Sequence, residues 1–125
     1  MVIGIGIDII EIERIKGSID RFGDSFLNKI YTQNELDYCL AKHNKYQHLA
    51  ARFAAKEAIY KAIATGWEKD ATWKSMEITN EPNGLPIVKF FGKLKDFFSD
   101  EKDIKISLSH SDNYVTCVAI IFNKN

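Results

Sequence analysis

The sequence carries no excess charge of either sign. Lysine plus arginine number 17, aspartate plus glutamate also number 17, and the formal net charge is zero. A bulk electrostatic pull toward nucleic acid or an acidic membrane is therefore not expected, which leaves only local patches to consider. Cysteine is scarce: Cys39 and Cys117 are the two present, and no C-x-x-C pair exists. That excludes a zinc knuckle and a thioredoxin-like redox site. Both thiols sit in apolar patterns, as buried free cysteines of a reducing compartment do. No apolar run is long enough to span a bilayer. The apolar opening MVIGIGIDII carries Asp8, with Glu11 soon after, and has neither a basic leader nor a small-residue cleavage site. It does not read as a signal peptide, and the expected location is cytoplasmic.

What is present is material for a single domain spanning residues 1–125. Of those residues 46% are hydrophobic, enough for a useful core. A chain of this size still leaves much apolar surface open, so self-association is expected. Residues 2–7 read as a buried strand. Ile12, Ile15, Ile19 and Phe22 follow at helical spacing. A short helix is expected over 25–30. Thr32 and Glu35 then form a T-x-x-E capping box that starts another. Residues 42–48 are polar and basic, a loop or the start of a helix. The strongest helix covers 49–64, with Gly66 as its stop. Strands at 73–80 and 85–91 flank the turn residues Pro82, Asn83 and Gly84. A short helix over 93–98 precedes a second strand pair, 104–110 and 114–122. The fold class is α+β: a long buried helix packed on a mainly antiparallel sheet.

Three segments could carry chemistry. In the first strand, alternation puts Gly4, Gly6 and Asp8 on one face and Ile3, Ile5, Ile7 and Ile9 on the other. Either the glycines leave room for a metal or phosphate beside Asp8, or they admit a closely packed helix while Asp8 caps the next one. A dinucleotide fingerprint is excluded, because Ile9 stands where its third glycine belongs. On the long helix, Arg52 and Lys56 fall inside the arc holding Leu49, Phe53, Ile59, Tyr60 and Ile63. Buried charge needs a partner. These cations either snorkel to water or line a groove. Glu57 and Lys61, four apart, stack on one edge of the arc, as a surface ion pair or as an acid and a base beside phosphates. Near the C-terminus, Ser107-Leu108-Ser109-His110-Ser111 ends an apolar strand row at His110, which is either structural or functional. No G-x-S-x-G elbow surrounds the serines, which argues against a serine nucleophile.

Four motifs occur here in order: G-I-G-I-D-I, R-F-A-A-K-E-A-x-x-K-A, N-G-x-P and S-L-S-H-S. Together they resemble the bacterial holo-acyl-carrier-protein synthases, over almost the whole chain. The resemblance implies a 4'-phosphopantetheinyl transferase-like fold and a homotrimer with active sites between subunits. It implies magnesium held by Asp8 and Glu57, and transfer of phosphopantetheine from coenzyme A to an acyl carrier protein serine in fatty acid biosynthesis. Asp8, Glu57 and Lys61 are then the catalytic set. Arg52, Lys61, Asn83, Gly84, Pro86 and His110 are expected to bind coenzyme A. Arg14 and Arg21 are expected to dock the carrier. Family members often carry an arginine in the loop before the long helix. Here the loop offers Lys42, His43, Lys45 and His48 instead; Lys45 is counted among the expected coenzyme A contacts, and which of the four stands in for the arginine is left open. A lysine supplies charge without the two-pronged geometry. The readings from other classes are a coenzyme-binding module without activity and a scaffold whose buried charges pair only with each other.

Overall fold

The computed structural model describes residues 1–64 and 72–124. The elements run β1 (Val2–Glu11), α1 (Ile12–Phe22), α2 (Asp24–Ile30), α3 (Gln33–Leu40), α4 (Lys45–Ile63), a 3-10 turn (Trp73–Ser75), β2 (Met76–Asn80), β3 (Pro86–Phe90), α5 (Lys93–Phe97), β4 (Lys102–His110) and β5 (Tyr114–Asn123). The α+β class is as read from the sequence, but the strands form two sheets rather than one. One is three-stranded with order β1-β5-β4 and the other pairs β2 with β3; every pairing is antiparallel.

Several boundaries move for local reasons. Strand β1 extends past Asp8 to Glu11, because β5 stays in register with it as far as Tyr114. Asp8 is therefore a mid-strand residue and does not cap α1, whose N-cap is Glu11. Helix α4 starts at Lys45, so the basic segment 45–48 is its first turn and not a loop. The expected stop at Gly66 lies outside the described residues. Residues 73–75 form a 3-10 turn instead of strand, with Thr72 and Ser75 exchanging capping hydrogen bonds. The capping box at Thr32 and Glu35 is present, with both reciprocal bonds made.

The core lies where α4 crosses the inner face of the three-stranded sheet. Leu49, Ala50, Ala54, Ala55, Ala58 and Ile59 are wholly buried there, against Cys117, Ala119 and Ile121 of β5. The run of alanines keeps helix and sheet close. At Gly4 and Gly6 the approach is closer still: an added Cβ would lie 2.3 Å from the Ala62 carbonyl oxygen and 2.0 Å from that of Ala58. Of the two readings of these glycines, close helix packing is the one realised. The space beside them holds α4.

The charges inside the helix arc divide. Lys56 neither snorkels nor faces a groove. It is fully buried, donating to Glu35 Oε1 at 2.7 Å and to the Ile30 carbonyl at 2.7 Å. The other Glu35 oxygen accepts from the Ile78 N–H at 2.8 Å, so this pair joins α2, α3, α4 and β2. Every lone pair so used lowers the cost of burying the ions.

Two expectations about burial are corrected. The sequence reading took β1 as a buried strand, yet Ile5, Ile7 and Ile9 are 65%, 63% and 66% exposed. Only the glycine face meets α4; nothing among the described residues covers the isoleucine face. Phe22, counted as helix core, is also exposed, while Ile15 is buried and Ile19 packs against the core. Cys39 and Cys117 are buried free thiols, as expected, and burial pushes them up to about 11 and about 12.

Candidate functional site: two charged loci flanking helix α4

The close approach at Gly6 sets Asp8 of β1 beside Lys61 and Glu57 of α4. The Lys61 ammonium donates to Asp8 Oδ1 at 3.0 Å and to the Ile7 carbonyl at 3.0 Å. Thr116 of β5 donates to the Asp8 carbonyl at 2.8 Å, fixing that stretch of strand. Lys61 thus turns to Asp8, whereas the sequence spacing suggested Glu57. The Glu57 carboxyl is raised above its ordinary value, first by partial burial and then by the negative charge of Asp8. Lys61 and Arg14 oppose the rise. Two acids from distant parts of the chain therefore repel each other across a gap that one lysine only partly neutralises.

That repulsion is what a cation relieves, so the residues fit a metal. The donor set narrows which one. Among the described residues, no group of three or more His, Cys, Asp or Glu could hold a metal ion. Two carboxylates with the remaining positions left to water and phosphate oxygens are a magnesium-type arrangement, unlike a closed zinc site.

A second locus lies on the other flank of α4. Arg52 precedes Glu57 by five residues, which turns it about 140° around the helix axis. It faces a cleft of about 430 Å³ between α4, the β2–β3 turn and β4, lined by Tyr38, His48, Arg52, Gly84, Pro86 and His110 among others. Asp8, Glu57 and Lys61 do not line it. Arg52 is only 4% exposed. Its Nη2 donates to Asn80 Oδ1 at 3.1 Å, and Asn80 Nδ2 donates to the Gly84 carbonyl at 3.1 Å. The arginine is thereby tied to the turn. Gly84 sits at φ 89, a left-handed conformation that glycine adopts without strain. The Arg52 Nε is buried with no hydrogen-bond partner among the described residues.

The sequence-read residues thus fall into two groups. Asp8, Glu57 and Lys61 meet on one flank, with Arg14 close enough to act on Glu57. Arg52, Gly84, Pro86 and His110 meet on the other. Asn83 serves the turn, its Oδ1 accepting from the Leu85 N–H at 3.1 Å. Lys45 is outside the cleft lining; its ammonium lies 5.3 Å from the Tyr46 ring, which also draws Lys16 of α1. Arg21 is exposed on α1, its guanidinium 5.2 Å from the Phe22 ring. Sequence reasoning missed Tyr38 and Asn80. Neither carries a spacing signal.

An α+β domain with paired acids and a lysine on one helix flank, and an acid-free cationic cleft on the other, is a protein built to handle phosphate groups. The comparisons give that class a family. The chain belongs to the 4'-phosphopantetheinyl transferase superfamily, whose pattern matches residues 4–119. It is 46% identical over 120 residues to a holo-[acyl-carrier-protein] synthase of Protochlamydia amoebophila, covering 96% of this chain and 98% of that one. Its fold is similar to the crystal structure of the Neisseria meningitidis holo-[acyl-carrier-protein] synthase, with a TM-score of 0.88, 28% identity and full coverage of both chains (100% each). It is also similar to the Bacillus anthracis holo-(acyl-carrier-protein) synthase solved in complex with CoA (3',5'-ADP), with a TM-score of 0.81, 31% identity and coverage of 100% and 99%. No helix of the described residues is long and apolar enough to cross a membrane.

Proposed function

We propose that this chain transfers the 4'-phosphopantetheine group from coenzyme A to a serine of an apo acyl carrier protein, in support of fatty acid biosynthesis in the cytoplasm. The observation that carries the reading is the convergence of Asp8, Glu57 and Lys61, in a chain that aligns end to end with holo-acyl-carrier-protein synthases.

In the reaction, the carrier serine oxygen bonds to the β-phosphorus of coenzyme A, and the bond to the 3',5'-ADP leaving group breaks. Magnesium, held by Asp8 and Glu57, would neutralise charge on the diphosphate when bound. Lys61, already oriented by the Ile7 carbonyl, sits where an ammonium supports the departing phosphate electrostatically or gives it a proton. The serine proton goes to a base among the site's carboxylates and waters. On the other flank, Arg52 and His110 hold phosphate, and Gly84 and Pro86 wall the nucleotide. Arg14 and Arg21 lie seven apart on α1 and so on one face, suited to an acidic carrier.

The cleft lining includes none of Asp8, Glu57 and Lys61, so the two loci stand apart on the flanks of α4. This supports an oligomer, a homotrimer by resemblance, in which the carboxylate flank of one subunit meets the cationic cleft of the next. The open face of Ile3, Ile5, Ile7 and Ile9 supplies the apolar surface for such an assembly. The test of function is intact-mass spectrometry of apo carrier protein incubated with the chain, coenzyme A and magnesium. A phosphopantetheine adduct is expected with magnesium and absent with chelator. No adduct across several carrier proteins would leave a coenzyme-binding module.

A further inference from the structure

The two charged loci differ in how they can take an anion. The Asp8–Glu57 flank is acidic and accepts phosphate only with a cation between. The cleft is lined by no aspartate or glutamate among the described residues. It can therefore take a dianion directly. The diphosphate of coenzyme A belongs with the acids, which leaves the cleft for a phosphate of a different kind, the terminal phosphomonoester.

One aromatic ring of the cleft gathers basic groups, Arg52 and His48 from the lining and Lys42 from beside it. The Tyr38 centroid lies 4.7 Å from the Arg52 guanidinium and 4.6 Å from the Lys42 ammonium. The His48 imidazole meets the same ring edge-on at 5.6 Å. Three basic groups from α4 and the segment before it thus converge on a residue of α3. They press on one another. The His48 imidazole is pushed below its ordinary value by partial burial, then by Arg52, Lys42 and His110. These are the charged groups that face it from its own helix, from the preceding segment and from the end of β4. These effects favour the neutral imidazole in the free protein, and a bound dianion reverses the balance of charge around it.

We infer that His48, gathered with Lys42 and Arg52 around Tyr38, is a phosphomonoester contact of the cleft that takes up a proton on binding, and that Tyr38 is its positioning residue. The inference rests on reading the cleft as the seat of a coenzyme A phosphate. It replaces Lys45, which lies against Tyr46 instead. Affinity for the phosphomonoester rises as pH falls through the bound-state titration of His48, because the complex holds a proton that the free protein does not.

The test is isothermal titration of the full chain with coenzyme A and with dephospho-coenzyme A, in buffers of high and low ionisation enthalpy, between about pH 6 and 8. His48→Gln serves as reference, since the two proteins differ only at that side chain. The wild type should take up more protons than His48→Gln on binding coenzyme A. The excess should vanish with dephospho-coenzyme A. Tyr38→Leu should raise the coenzyme A Kd about fivefold to tenfold. Tyr38→Phe, which keeps the ring, should match the wild type. Equal proton uptake in wild type and His48→Gln, or an excess that persists with dephospho-coenzyme A, would overturn this inference and leave the function standing. Absence of any coenzyme A binding would overturn both.

Discussion

Gly6 of β1 packs directly on the backbone of Ala58 in α4: a Cβ at Gly6 would stand 2.0 Å from the Ala58 carbonyl oxygen and 2.9 Å from the Lys61 Cβ. That contact sets the distance between the strand carrying Asp8 and the helix carrying Glu57 and Lys61. Gly6→Ala should destabilise the fold by about 1–3 kcal/mol. The obstruction is backbone, which cannot rotate away, so the acids should also separate. Denaturant unfolding and magnesium-dependent transfer should both fall. Gly17→Ala is the control. An added Cβ there meets nothing within 4 Å, so helix propensity alone acts and stability should rise by about 1 kcal/mol.

Glu57 should trade stability for function. Burial first, and the Asp8 charge second, raise its carboxyl above 4.5. With the folded value raised, its favourable contribution is complete below the ordinary carboxylate range and is lost as pH climbs through the folded value. At pH 7 to 8 the ionised side chain is thus a burden on the fold. Glu57→Gln should melt higher than wild type there, with the gap closing toward pH 4.5. It should lose most transfer activity. Magnesium should raise the wild-type melting temperature and leave that of the variant unmoved. A variant that melts lower at neutral pH, or responds equally to magnesium, would contradict the repulsion between the two acids.

Lys56 tests the division of charges along α4. It stands one residue before Glu57, yet its ammonium points inward to Glu35, with both side chains fully buried. Lys56→Met leaves the Glu35 carboxylate buried without its cation, and should cost about 3–5 kcal/mol by denaturant unfolding. Replacing both partners by apolar residues should recover much of that loss, because the desolvation of two charges disappears with them.

How much of this was legible in the sequence follows from what each signal encodes. Alternation along β1 gave the sharing of a face by Gly4, Gly6 and Asp8, because the strand period is two and local. The capping box at Thr32 and Glu35 was readable for the same reason. What local pattern could not say was what filled the glycine face, and it proved to be α4. Nor could it say that the isoleucine face would stay open, since strings of isoleucine look alike whether a helix or another subunit covers them. Arg52 and Lys56 share one arc and one charge. They diverge because Glu35 reaches Lys56 from α3, while Asn80 reaches Arg52 from β2. Those partners lie 21 and 28 residues away, beyond any helical spacing. Lys45 lies 5.3 Å from the ring of its neighbour Tyr46, a placement that no helical spacing encodes.

The exposed isoleucine face should be an interface. Ile5 and Ile7 are 65% and 63% exposed in one chain. Their side chains point away from α4, so a polar substitution there should not disturb the core. Ile5→Asp combined with Ile7→Asp should give a folded monomer by analytical ultracentrifugation. Transfer activity should be lost with the assembly, although Asp8, Glu57 and Lys61 are untouched. A monomer that still transfers would show that one chain makes a whole site.

Subunit mixing puts the whole account to the test most directly. Glu57→Gln disables the carboxylate flank and Arg52→Gln disables the cleft, on opposite sides of α4. Each variant alone should be inactive. Unfolded together, refolded at equal amounts and supplied with coenzyme A, magnesium and apo carrier protein, they should recover roughly a quarter of wild-type transfer, as random assortment of subunits in a ring of shared sites requires. Mixed oligomers that form and yet remain inactive would contradict a site built from the two flanks of neighbouring chains.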